Sequence, residues 1–290
     1  MKYGIDCMMR KGAHVIVLMG LVLAMGLPCV NAQPLDTELP TLWGGDFGNG
    51  AATSDAVGGV FEEGRAAAPI PASAYGIPTA FGADWGDVFF ATGYQRLLKS
   101  AGRQNDGAVF TGFGFGDAHE TIGIEGTIAI YDLVGDTFQE RSLGLKLHRR
   151  FGEQWAVSVG VENMFIAGGT DGGKSAYSVA SFTSNLSLGQ LPIQKITATL
   201  GVGDGRFNSM ENVRQGMNNL SIFGSLGVRL ASDFGVFGTW AGQDLNVGIS
   251  VVPFEQLPLV VTPTLVNATG TAMSGRRIGG SIGIGYTLLR

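Results

Sequence analysis

Alternate positions of residues 121–131 fall into two classes. Ile122, Ile124, Ile128 and Ile130 share one face with Gly126, and Thr121, Gly123, Glu125, Thr127, Ala129 and Tyr131 share the other. The next stretch repeats the division, with Leu143, Leu145 and Leu147 against Ser142, Gly144, Lys146 and His148. Trp155, Val157, Val159 and Val161 against Ala156, Ser158, Gly160 and Glu162 repeat it again. Successive side chains of a strand point to opposite faces, so each stretch reads as a strand with one apolar face and one small or polar face. Each run is about ten residues, the length of a tilted strand that crosses a bilayer. A soluble sandwich also alternates, but its polar face meets bulk water and carries Lys, Glu and Thr. Here that face is Gly, Ala, Ser and Thr with an occasional charge, which suits the crowded inner wall of a barrel. The pattern predicts an all-β fold, an antiparallel transmembrane β-barrel.

The barrel is expected over residues 87–290, with strands at 88–98, 108–116, 121–131, 140–150, 155–166, 176–188, 195–203, 220–230, 234–241, 245–252, 259–266 and 277–289. That is about twelve strands, with ten or fourteen as the even-numbered alternatives. Residues 176–188 alternate poorly, and Pro263 inside the eleventh strand suggests a bulge or a lumen-side kink. Connections alternate between tight turns, such as Gly152-Glu153, and longer loops, of which 204–219 is the longest. Tight turns at the periplasmic end and long loops outside are the layout of bacterial outer-membrane barrels. The short link Gly242-Gln243-Asp244 breaks the rule on the long-loop side. The last strand alternates Ile278, Ile282, Ile284, Tyr286 and Leu288 with Gly279, Ser281, Gly283, Gly285 and Thr287. It resembles the terminal-strand signal of outer-membrane proteins, except that it ends in Leu289-Arg290 instead of an aromatic residue.

Composition sharpens the picture. Mean hydropathy is +0.22, and only 15% of residues are charged, yet the only long apolar run is N-terminal. The remaining apolarity is spread through alternating strands, as an outward-apolar barrel requires. Residues 1–32 read as a secretory signal, with Arg10 and Lys11 at its basic end, an apolar stretch at 15–27 and small residues before a cut after Ala32. Cys29 raises a lipoprotein alternative, against which Pro28 immediately before it argues. Both cysteines, Cys7 and Cys29, lie in this leader, so the mature chain has no disulfide and no Cys metal site. The leader carries Lys2, Arg10 and Lys11 against Asp6, so its removal shifts the formal charge from −5 to about −7. No basic patch with interleaved aromatics occurs, which argues against nucleic-acid binding.

Residues 33–86 differ from the rest, with Pro34, Pro40, Pro69, Pro71 and Pro78 in Gly- and Ala-rich sequence of little periodicity. The segment reads as a flexible periplasmic leader in preference to a plug folded into the barrel. Tyr75, Phe81 and Trp85 stand where an interfacial anchor would precede the first strand.

Three phrases carry a resemblance: Thr170-Asp171-Gly172-Gly173, Gly201-Val202-Gly203-Asp204-Gly205-Arg206-Phe207, and the stretch from Trp240 to Gly248. By these, and over roughly Thr79 to the end, the chain resembles a porin-like group of uncharacterised bacterial outer-membrane β-barrel proteins. The resemblance implies fold and compartment, and transfers no substrate and no site residues.

Candidate chemistry is sparse. Gly112-Phe113-Gly114-Phe115-Gly116 lacks the helix and Lys-Ser/Thr pair of a nucleotide loop and reads as strand glycines. The Asp/Gly loops at Asp171 and Asp204 lack a full Ca²⁺ ligand spacing and read as turns. A barrel lipase or protease needs a nucleophile and base converging. Only His119 and His148 are available after the leader, with Ser142 and Ser158 on the same face as His148, and a solvated or hydrogen-bonded luminal histidine is the plainer reading. The expectation is a protein that is no enzyme and takes no cofactor. Its partners are outer-membrane lipid, the barrel assembly machinery and small solutes.

By parity, the inward charges are Glu125 and Glu162 against Lys146, Lys195, Arg229 and Arg277, with His148 beside Lys146. If the third hairpin loop centres on Gly135 and Asp136, antiparallel register sets Glu125 opposite Lys146, an attracting cross-strand pair. Giving Glu162 a second basic partner leaves a basic surplus, so an open lumen is expected to prefer anions mildly. The expected function is a porin-like or narrow channel for small solutes. The alternative is a non-conducting structural or surface-interaction barrel with a role in envelope or exopolysaccharide handling.

Overall fold

The computed structural model describes residues 70–98, 106–131, 141–167, 173–185, 193–272 and 275–288. The expected leader at 1–32, the stretch 33–69 and most of the Asp171 loop lie outside these residues. Twelve strands run in chain order: β1 (Asp87–Leu97), β2 (Asp106–Gly116), β3 (Gly123–Ile130), β4 (Arg141–Phe151), β5 (Trp155–Ala167), β6 (Ser175–Asn185), β7 (Lys195–Gly203), β8 (Ser221–Arg229), β9 (Phe234–Trp240), β10 (Leu245–Val251), β11 (Leu259–Val266) and β12 (Arg277–Thr287). Each pairs antiparallel with its chain neighbours, and β1 pairs with β12 to close the barrel. The strand limits fall close to those the alternation predicts.

Parity assigns the two faces as expected. Phe90, Ile124, Leu145, Leu200, Ile222 and Ile282 are exposed on the outside, while their chain neighbours Phe89, Glu125, Lys146, Thr199, Phe223 and Ser281 are buried within. One irregularity lies between β4 and β5. There the register shifts around Leu143 and Met164, where Asn163 and Phe165 adopt φ of 54° and 50°. Asn tolerates that region and a bulky Phe does not, so the bulge holds Phe165 in a strained conformation, with its side chain 83% exposed. Pro263 causes neither a bulge nor a lumen-side kink. It faces outward, opposite Gly280, and the β10–β11 register is the same on either side of it.

The barrel has two unlike ends. At one, here the turn end, lie the connections 117–122, 152–154 and 230–233 and the start of β1. At the other, the loop end, lie 204–220, 241–244 and 267–276. The 204–220 connection holds a 3-10 turn, Gly205–Phe207, and a short helix α1, Met210–Arg214, capped by the Ser209 side chain accepting from Asn212 N.

Residues 70–84 lie inside the barrel. Ile77, Ala80 and Ala83 are fully enclosed, and Tyr75 and Phe81 are 2% exposed. Neither aromatic is therefore an outer anchor. Trp85 alone of the three is outside, 5.6 Å from the Phe115 ring. The segment is a long hairpin without regular structure. Its first arm starts near the turn end, where Pro71 and Ser73 pass over Gly235 and Gly227. Its apex at Gly76, where φ is +79°, reaches the loop end. The second arm returns to the turn end, where Trp85 N donates to Gly116 O. The inner wall is built to admit it: a Cβ on Gly114 would come 2.3 Å from the Ala83 carbonyl carbon, and one on Gly227 would come 2.6 Å from Ser73 Cα.

The short loop-end link 241–244 is explained by Asp244. Its carboxylate accepts from the N–H of Leu245, Thr269, Thr271 and Ala272 and from the Thr269 hydroxyl, and so fastens the β11–β12 loop to the β9–β10 turn. Burial pushes this carboxyl up, but the hydrogen bonds from Thr269, Leu245, Ala272 and Thr271 outweigh it and hold Asp244 below the usual carboxylate range. A depressed folded value means that the stabilisation is complete above the unfolded value and is lost as pH falls through the folded one. The amides of Thr271 and Ala272 are accordingly expected to stay protected from hydrogen exchange through mild acid and to open only in strong acid. Asp244→Asn should open them at neutral pH. Equal protection in the variant would show that the carboxylate does not hold the loop.

Candidate functional site

The hairpin brings main-chain donors and acceptors into a closed space, and each must find a partner there. The wall supplies hydroxyls. Ala72 N donates to Ser250 Oγ at 2.8 Å, Tyr75 N to Thr239 Oγ1 at 3.3 Å, and Ala80 N to Ser181 Oγ at 2.9 Å. Ser181 and Ser250 are in turn within 2.8 Å and 3.4 Å of the Thr199 and Thr262 hydroxyls on the adjacent strands. These residues lie on the polar face because the strands alternate, and they are small enough to leave room for the hairpin.

Charges supply the rest. Glu125 and Lys146 are direct cross-strand partners on β3 and β4, and Lys146 Nζ lies 3.2 Å from Glu125 Oε1. Both groups also hold the hairpin: Ala83 N donates to Glu125 Oε2 and Lys146 Nζ donates to Phe81 O, each at 2.9 Å. Two fully desolvated charges are costly to bury, and here mutual attraction and hydrogen bonds to the main chain offset that cost together. Arg150, the next inward cation on β4, sits 4.8 Å from the centre of the Phe81 ring.

His148 is enclosed as well, with Nε2 3.2 Å from Asp84 Oδ1 at the end of the second arm. The same Asp84 oxygen accepts from Ala118 N at 2.8 Å in the β2–β3 turn. Register places His148 opposite Ser158, and Asp84 supplies the third group of a Ser-His-Asp set. The set lacks the hydrogen bond that activates a nucleophile, since neither Ser158 Oγ nor either His148 nitrogen has a hydrogen-bond partner among the described residues. Gly82 packs on the imidazole, and the pair is closed off beneath the hairpin.

Glu162 takes a partner that parity did not supply. Arg206, from the 3-10 turn of the long loop, forks onto it through Nε and through Nη2 at 3.0 Å, and its Nη1 donates to Gly76 O at 2.7 Å. The loop thereby caps the hairpin apex. Phe207 stacks on Phe223 at 4.4 Å and fills the adjoining space. Arg277 bonds Gln95 Oε1 at 3.2 Å beside the Tyr75 hydroxyl. Lys195 and Arg229 face each other across β7 and β8, half-buried at the turn end, where the first arm passes. At the loop end, Tyr131, Ser142 and Asn163 bond one another, and Asn163 Nδ2 reaches Gly173 O at 2.9 Å.

Parity thus finds the Glu125–Lys146 pair and misses Asp84, Arg150, Arg206 and Asn163. Arg150 lies on the inward parity of β4 and was legible. Asp84 and Arg206 belong to segments without periodicity, and Asn163 turns inward through a bulge. Among inward residues of β2 to β6 lies a cavity of about 20 Å³ lined by Glu125, Tyr131, Ser142, Lys146 and Tyr177 among others, room for about one water. No family model matches the sequence, and comparison with curated proteins finds no match.

Removing one member of a buried pair strands the other, so Glu125→Leu or Lys146→Met alone should cost about 3–5 kcal/mol. The double variant should cost less than either single one. Urea titrations of the four proteins, followed by tryptophan fluorescence, measure the coupling. Additive losses would mean that the two charges act independently.

Proposed function

We propose that this chain spans the bacterial outer membrane as a porin-like barrel held shut by its own N-terminal hairpin. The observation that carries the reading is the hairpin itself, fixed along the lumen by buried hydrogen bonds and by the Glu125–Lys146 and Glu162–Arg206 pairs. In support of the membrane, the outward face is apolar around the barrel, with Leu145, Leu200, Ile222 and Ile282 exposed. Exposed aromatics mark both rims: Trp85, Phe115, Trp155 and Tyr286 at the turn end, and Tyr94, Phe165 and Trp240 at the loop end. In this reading the turn end is periplasmic and the loop end is extracellular, and the protein is no enzyme and needs no cofactor. Its partners are outer-membrane lipid, the assembly machinery that inserts it, and small hydrophilic solutes once the hairpin leaves.

The wall behind the hairpin favours a channel that opens. It is lined by Ser181, Thr183, Thr197, Thr199, Thr239 and Ser250, which stay compatible with water when the segment is removed. The second reading is a permanently closed surface-interaction barrel, favoured by the tight fastening of the outer loops through Asp244 and by the Asn208–Asn218 bond at 2.7 Å.

Two measurements test these readings. Ile124→Arg should destabilise the protein refolded in vesicles by about 2–4 kcal/mol if the side chain meets the bilayer midplane. An indifferent variant would refute the membrane reading. In planar bilayers the intact protein should be silent, and deletion of residues 70–84 or Arg206→Ala should give stable conductance steps. With the hairpin gone, Lys195, Arg229 and Arg277 leave a basic surplus, so the steps should favour anions mildly. Silence of both variants, each shown to be folded by heat-modifiable migration, selects the closed barrel.

A further inference from the structure

Among the described residues, the outer wall carries a depression of about 620 Å³ where β1, β12 and β11 meet. Its volume is in the range of small-ligand sites. Its origin is a single row of the sheet, in which Tyr94, Gly280 and Pro263 stand side by side in register. Gly280 has no side chain to match its neighbours, and an added Cβ would come 2.7 Å from Thr262 O, so the notch is kept open by close backbone approach. Ile278 and Leu265 bound it toward the loop end, and Ile282 and Val261 toward the turn end, all on the outward face. The lining is mostly apolar, with the hydroxyl residues Thr92, Tyr94 and Ser281 among it, and its one charged group is exposed Arg96, which stands beside Ile278 at the top. A second exposed guanidinium, that of Arg276, belongs to the loop whose main chain accepts from Leu98 N at 3.1 Å.

This shape fits one class of occupant. From Arg96 down to Thr92 the depression follows β1 for roughly 13 Å. At a strand tilt of about 45° it descends roughly 9 Å, the upper part of one leaflet of a hydrocarbon core about 30 Å thick. We infer that the groove binds a phosphorylated lipid, one acyl chain lying over Gly280 and the phosphate held by Arg96. The inference rests on the proposed membrane reading. The apolar floor recognises the chain, and the cation at the loop-end rim recognises the anionic head group, where a lipid of that leaflet carries it.

The full-length protein, refolded into phosphatidylcholine vesicles containing phosphatidylglycerol with a diazirine in its acyl chain, tests the inference after ultraviolet irradiation and peptide mapping. Label should concentrate on β1, β11 and β12 and exceed that on the β5–β8 wall, and a diazirine phosphatidylcholine probe should show less enrichment. Arg96→Gln should lower the enrichment about fivefold, while Arg149→Gln, on the far wall near the turn end, should leave it unchanged. Val261→Trp should remove it by filling the groove from the side, without touching Gly280. Label spread evenly over all strands, or cross-links between two copies through this face, would overturn the lipid site while leaving the membrane reading intact. No label on any strand, together with no heat-modifiable band, would overturn both.

Discussion

Main chain that runs through the inside of a barrel has no water and no ladder to bond to, and that constraint governs this structure. A hairpin of coil can persist there only if the wall answers its N–H and C=O groups. The wall does so with short side chains, hydroxyls on β6, β9 and β10 and charged groups on β3 and β4, with Arg206 reaching in from the long loop. Small wall residues follow from the same constraint, because the barrel must leave room for two strands of chain as well as bond them. A barrel of twelve strands is wider than one its own side chains can fill. Here the difference is made up by the hairpin, by Phe89, Phe110, Phe207 and Phe223, and by the tyrosines that pack with them.

The charged contacts are distributed along the hairpin. Arg206 caps the apex, Lys146 and Glu125 hold the middle of the second arm, and Asp84, beside His148, ties its end to the β2–β3 turn. The first arm is held by hydroxyls instead, and passes Lys195 and Arg229 at the entrance. The two arms are therefore unequal. The second is bound through low-dielectric ion pairs, which are expensive to break one partner at a time. The bonds of the first arm to Ser250 and Thr239 are neutral, each worth about 1 kcal/mol after exchange with water.

Much of the barrel was legible in the sequence because a two-residue period survives any tertiary context that keeps one face apolar and the other not. The same period put Glu125 and Lys146 on one face, and a loop centred on Gly135 and Asp136 set them opposite each other, as they are. What it could not reach was anything off the period. The hairpin has six buried residues that are Ala or Ile and an irregular backbone, so its composition matches that of a solvated linker. The signal that would have distinguished them was on the other side of the contact. Gly112 and Gly114 on β2, Gly123 on β3 and Gly227 on β8 all face inward, and inward glycines on several strands mean that the lumen holds something besides side chains. Arg206 was hidden for a related reason, since a loop residue has no parity and its direction is set by the 3-10 turn that carries it.

In the proposed channel reading, the unequal arms also set the order in which the hairpin would leave. Withdrawing the second arm first would strand Glu125 and Lys146 partly unsatisfied, because each gives one bond to the other and one to the hairpin. Withdrawing the first arm exposes Ser250 and Thr239, hydroxyls that water satisfies at little cost. Water entering at the turn end past Pro71 and Ser73 can therefore replace the hydroxyl contacts one at a time as far as the apex, where Arg206 bonds the Gly76 carbonyl. That order makes the Arg206–Glu162 pair the barrier between a loosened first arm and an open lumen. In that reading control of opening falls to the 204–220 loop, at the end of the barrel opposite the one where the hairpin enters.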